Sequence, residues 1–169
     1  HDLTIYDYGK PIPEQFKGIE VVIDMGGSVG TNEMYDAATD ARLWQIMGTG
    51  LDHVDMPNIT SKGFMVTHCP GQFSSVALAE CAMMYILMLS RRYHESRANF
   101  DNNRFYQPFG YSLEGAVLGL IGFGASAQEL ARRAKPFGMR ILAIDVRPIE
   151  PEILDEIQPE FLGGPDDMD

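Results

Sequence analysis

The chain is 169 residues long, 45% hydrophobic, with a formal net charge of −11. That length sets an expectation of one domain, or two small ones, around a real core. The negative charge argues against nonspecific nucleic-acid binding, and its two cysteines, in no CxxC pair, argue against a disulfide framework.

Leu3 to Tyr6 alternates weakly and reads as a first strand. Pro11 and Pro13 break the segment after it. Glu20 to Asp24, apolar at Val21, Val22 and Ile23, carries the signature of a buried strand. Gly26, Gly27 and Gly30 make a flexible turn. Thr31 or Asn32 then caps a short helix through Ala38. Leu43 to Met47 is another strand, followed by a glycine turn at Gly48 and Gly50. A short Pro-started segment and Lys62-Gly63 lead to a strand at Phe64 to Thr67. His68-Cys69-Pro70-Gly71 breaks the chain. Strands alternating with short helices predict a parallel α/β sheet.

Ser74 to Arg92 is the longest predicted helix. Ser74 or Ser75 can cap it, and Arg91-Arg92 suits the dipole at its C-terminal end. Its apolar residues, among them Val76, Leu78, Met83, Met84, Ile86, Leu87 and Leu89, wrap nearly all round. Such a helix is expected to be buried on every side, as a core helix between two domains or shared with a partner subunit. The run contains Glu80 and is shorter than the ~20 residues of a membrane span, so a soluble protein is expected. Cys69 and Cys81 read as buried small apolar residues in a reducing cytosol. Asn99 to Tyr111 is polar and aromatic, and Pro108-Phe109-Gly110 reads as a loop.

Val117 to Asp145 is the stretch with chemistry in it. An apolar run, Val117, Leu118, Leu120 and Ile121, reads as a buried strand. Gly122-Phe123-Gly124-Ala125-Ser126-Ala127 forms a G-x-G-x-x-A turn. Leu130, Ala131, Ala134 and Phe137 then fall at helical spacing, and Gly138 ends the helix as a C-cap. A second strand, Ile141 to Ile144, ends on Asp145. Gly122 lets the chain turn off the strand. Gly124 has no Cβ, so a pyrophosphate can approach the backbone. Ala127 is small enough for close helix–strand packing. The helix N-terminus offers free N–H groups to phosphates, and Asp145 can accept bonds from adenosine ribose hydroxyls. The same turn is also compatible with a βα connection that binds nothing, or with a methyltransferase-type nucleotide turn. No Lys-Ser/Thr follows the glycines, which argues against a P-loop. The late acidic clusters, Glu150 to Glu160 and Asp166 to Asp169, read as solvated surface.

Other polar groupings carry less. Asp52-His53-x-Asp55 matches no common zinc spacing, so no metal is expected. His68 and Cys69 have no identifiable third group to orient them. His94 reads as surface, and Met83, Met84 and Met88 as packing residues.

Four blocks in order resemble the D-isomer-specific 2-hydroxyacid dehydrogenases. Met47-Gly48-Thr49-Gly50-Leu51-Asp52-His53-Val54-Asp55 resembles the family's G-x-G-x-D-x-V-D loop. Lys62 to Thr67 with Pro70-Gly71 is similar to its K-R-G-I-x-V strand and T-P-G turn. Leu78-Ala79-Glu80 followed by Arg91-Arg92 is similar to its V-A-E helix. Leu118 to Asp145 resembles its nucleotide-binding unit. The resemblance implies residues 1–70 as a partial flavodoxin-like, parallel-sheet substrate domain. Residues 71–169 would be the first half of a Rossmann NAD-binding domain, with a dimerisation helix at 74–92 and the first two Rossmann strands.

The resemblance also implies roles. Thr49 and Gly50 would meet the carboxylate of a small 2-hydroxy or 2-keto acid, and Thr49 also the nicotinamide end of NAD. Gly122, Gly124, Ala125, Ser126 and Ala127 would hold the pyrophosphate. The family usually has Arg-Ile at Ala125-Ser126 and Gly at Ala127, so a charged contact is missing. Asp145 would take the ribose and favour NAD, while Arg147 could pair with a 2′-phosphate. The family's catalytic arginine, glutamate and histidine would lie beyond Asp169, and its first strand before His1. The implied whole protein is a cytoplasmic, homodimeric NAD-dependent oxidoreductase, with no catalytic residue in this chain. The alternative is a non-catalytic NAD-binding regulator resembling the C-terminal-binding-protein corepressors.

Overall fold

The computed structural model describes residues 2–25 and 30–168. Gly26 and Gly27, part of the expected flexible turn, lie outside the described residues. The chain divides into two compact units, His1–Pro70 and Gly71–Asp169.

In the first unit, α1 (Ile12–Phe16), β1 (Val21–Asp24), α2 (Asn32–Ala37), β2 (Leu43–Ile46), α3 (Met56–Ser61) and β3 (Met65–His68) follow one another. The strands pair in parallel in the order β1-β2-β3, with Val21 opposite Leu43 and Leu43 opposite Met65. Trp44 is the centre of the core. It stacks on Phe64 at 5.7 Å, meets Tyr35 edge-on at 4.9 Å, and donates its Nε1–H to buried Asp24 at 3.4 Å. Thr31 caps α2 by accepting the N–H of Met34, and Asp55 caps α3 by accepting the N–H of Asn58.

Three expectations fail here. Leu3 to Tyr6 is not a strand: it pairs with nothing among the described residues, and Leu3 and Ile5 are exposed. Pro13 does not break structure but sits in the first turn of α1, where its missing N–H costs nothing. Val21 and Ile23 of β1 are exposed, because one face of this sheet is covered within the unit and the other is not.

The second unit opens with α4 (Ser75–Ser90) and α5 (Tyr93–Asp101). Then come β4 (Val117–Ile121), α6 (Ala125–Ala134), a 3₁₀ turn at Lys135–Phe137, β5 (Arg140–Ile144), α7 (Pro151–Ile157) and β6 (Phe161–Gly163). These strands are also parallel, in the order β4-β5-β6, with Ile121 opposite Ile144 and Ile144 opposite Gly163. That is the 3-2-1 half of a doubly wound sheet. It holds three strands rather than the expected two. α7 and β6 lie in the acidic stretch, where Glu156 pairs with Arg132 and Glu160 with Arg140.

α4 packs on α6 through Ser75, Ala79 and Met83. It is not buried on every side: Val76, Leu78, Met84, Tyr85 and Leu89 remain 45–72% exposed in this chain. Neither serine caps it, since the hydroxyls of Ser74 and Ser75 donate to the carbonyls of Gly71 and Gln72. Pro108-Phe109-Gly110 is a loop, as expected, and α5 ends before it at Asp101. Cys81 is exposed rather than buried, because it falls on the outer face of α4; Cys69 is half-buried.

Candidate nucleotide-binding turn

The turn between β4 and α6 is held at Gly122 and Phe123. Gly122 has φ +87°, and a Cβ on it would meet nothing within 4 Å, so conformation rather than space demands glycine. Its N–H reaches the carbonyl of Ile144 at 2.8 Å, extending the β4–β5 ladder. Phe123 puts a fully buried ring into the core under the turn. Its N–H donates to Asp145 Oδ2 at 2.6 Å, and its carbonyl accepts Gln128 Nε2 at 2.8 Å. The middle of the turn is thus pinned by its side chain and by both backbone groups.

Gly124 is different. Its φ of −76° suits any residue, and a Cβ there would meet only Arg147 Nη2, at 3.7 Å. Its bare face is open except for that guanidinium. α6 starts directly after it, and the N–H groups of Ala125, Ser126 and Ala127 have no acceptor among the described residues. Ala127 packs against the core, which brings the start of α6 close to the sheet.

Asp145 ends β5 beside the turn. Its Oδ1 accepts the N–H of Arg147 at 2.9 Å and lies 3.6 Å from Arg147 Nε. The N–H groups of Arg147 and then Phe123 hold its carboxyl below the usual carboxylate range, against the opposing effect of burial. Only 7% of this side chain is exposed. A carboxylate has about four lone-pair sites, so two occupied by N–H groups leave room for a ligand's hydroxyls.

Gly122, Gly124, Ala125, Ser126, Ala127, Asp145 and Arg147 therefore meet at one end of one sheet. Gln128 joins them and was not anticipated. The signal for it is weak, a glutamine one residue past the glycine pattern, and only the fold shows it reaching back to Phe123. Thr49 and Gly50 lie in the other unit, exposed, in the loop after β2. There the carbonyl of Thr49 lies 3.1 Å from His68 Nδ1. Asp55 is spent on capping α3, and no group of three metal-ligating side chains occurs among the described residues. No described helix is long and apolar enough to cross a membrane.

Residues 83–164 match the family described as D-isomer specific 2-hydroxyacid dehydrogenase, NAD binding domain. Those residues belong to that family's NAD-binding domain. It is 33% identical over 145 residues to a hydroxypyruvate reductase of Thermotoga maritima, covering 85% of this chain and 45% of the relative. It is 31% identical over 137 residues to a D-3-phosphoglycerate dehydrogenase of Methanocaldococcus jannaschii, covering 78% of this chain and 25% of the relative. Among solved structures it is similar to a D-lactate dehydrogenase of Aquifex aeolicus complexed with NAD and lactic acid. The TM-score is 0.78 and the identity 26%, over 91% of this chain and 46% of that one. The chain thus spans less than half the length of these dehydrogenases. Its fold is the family's α/β architecture, and Gly122 to Asp145 lies inside the matched NAD-binding domain.

Proposed function

We propose that the whole protein is an NAD-dependent oxidoreductase acting on the CH–OH group of a small D-2-hydroxy acid, or on the corresponding 2-keto acid. The observation that carries this is the turn itself: a glycine turn locked from Phe123 to Asp145 at the mouth of a 3-2-1 half-sheet. Bound NAD supplies the hydride chemistry. The chain's own part is to bind and orient. The N–H groups of Ala125, Ser126 and Ala127, with the Ser126 hydroxyl, take the pyrophosphate oxygens. Asp145 takes the adenosine ribose hydroxyls, and a 2′-phosphate beside that carboxylate would be repelled, which favours NAD over NADP. Thr49 and Gly50 serve the substrate carboxylate.

The exposed apolar face of α4 supports a homodimer, with a second copy covering Leu78, Met84 and Leu89. The free cysteines support a reducing, cytoplasmic setting.

The test is NADH oxidation by the whole protein with hydroxypyruvate and with glyoxylate. Turnover with either is expected. The 169 residues alone should give none, since among the described residues none of His53, His68 and His94 pairs with a carboxylate that could orient it as a proton donor. A whole protein that binds NADH yet reduces no 2-keto acid contradicts the enzymatic reading.

A further inference from the structure

The turn carries no positive side chain of its own. Ala125, Ser126 and Ala127 are neutral, and the helix N-terminus supplies only a partial charge. A pyrophosphate brings two full negative charges, which are best met by a charge-assisted, bidentate donor. From Val117 onward the chain has five cations, and four are engaged elsewhere. Arg132 holds Glu129 and Glu156, Arg133 holds Glu129 and Glu80, Lys135 holds the carbonyl of Ile157, and Arg140 holds Glu160. Arg147 is the fifth. Its side chain is 68% exposed, and its Nη2 lies 3.7 Å from the Cβ position of Gly124, over the bare face of the turn.

We propose that Arg147, reaching across from the end of β5, supplies the cation for the cofactor's pyrophosphate. The assignment rests on the nucleotide-binding reading above and adds to it the residue that neutralises the phosphates. Asp145 is then a positioning residue as well as a ligand for ribose. It accepts the N–H of Arg147 and sits beside its Nε, which aims the outer end of the guanidinium at Gly124. The bond from the backbone N–H survives any substitution of the Arg147 side chain. Because that side chain is mostly solvent-exposed, its removal leaves the core untouched.

The experiment is titration calorimetry of the full chain with NADH, NADPH, ADP and adenosine, for wild type, Arg147→Ala and Arg147→Ala with Ala125→Arg. Arg147→Ala is expected to weaken NADH, NADPH and ADP alike, by ~10- to 100-fold, the loss of one or two charge-assisted hydrogen bonds. Adenosine, which has no phosphate, should be unaffected. Ala125→Arg places a cation on the turn from the other side and should recover most of the lost NADH affinity. If Arg147→Ala weakens NADPH alone, Arg147 reads a 2′-phosphate and the proposal is overturned. It is equally overturned if NADH and ADP affinities do not change. A wild type that binds neither dinucleotide overturns the nucleotide-binding reading itself, a result distinct from either.

Discussion

The carboxylate of Asp145 accepts the backbone N–H of Phe123 at 2.6 Å, tying the end of β5 to the turn that leaves β4. The side chain in the position to read a ribose is therefore also a structural tie. Asp145→Ala leaves a turn N–H without its acceptor and should cost about 1–3 kcal/mol of stability. Urea unfolding monitored by circular dichroism checks this; an unchanged midpoint would mean the tie is not formed in solution.

The same tie has a pH signature. The folded-state pKa of Asp145 is lowered, so its contribution is fully present above the unfolded value, about 3.9. It is lost as pH falls through the folded value. Asp145→Asn cannot titrate. The stability gap between wild type and Asp145→Asn should be widest near neutral pH and shrink below about pH 4. Midpoints measured at pH 7 and pH 3 decide it, and a gap that stays constant between them argues against the assignment.

Gly122→Ala isolates backbone conformation from space, because φ is +87° and the Cβ position is empty. The cost should be about 1–2 kcal/mol with no steric clash to relieve. Gly124→Ala should behave in the opposite way. Its φ is ordinary, so stability should hold while dinucleotide affinity falls, because the new methyl meets the open face and Arg147. Paired melting and binding measurements on the two variants separate these roles.

The uncovered face of α4 predicts self-association. Light scattering at micromolar concentration should show a dimer, and Leu78→Asp with Leu89→Asp should shift it to monomer without unfolding it. Leu89 is 72% exposed and Leu78 54%, so the substitutions burden no core. A wild type that stays monomeric at high concentration refutes this assembly.

Much of this architecture was legible in the sequence. The strand–turn–helix–strand order from Val117 to Asp145 followed from apolar periodicity and the placing of Gly122, Gly124 and Gly138. What was missed has physical causes. β6 is three residues long, Phe161–Gly163, and its pairing with β5 rather than its composition makes it a strand. α7 begins at Pro151 within an acidic run, and one of its acids, Glu156, is held by Arg132, which lies far away in sequence. The periodicity of α4 predicts burial all round. A helix apolar on every side states only what must be covered in the assembled protein, not what this chain covers. The contact of Arg147 with the turn depends on where two loops meet, which no local pattern encodes, while that of Gln128 depends on the way α6 leaves the turn.

Gly122 to Arg147 is proposed as a dinucleotide site that prefers NAD. Calorimetric titration of the whole protein with NADH and NADPH tests it most directly. Saturable binding of both is expected, tighter for NADH, with the preference lost in Asp145→Asn. Binding of neither, or tighter binding of NADPH by the wild type, would contradict it.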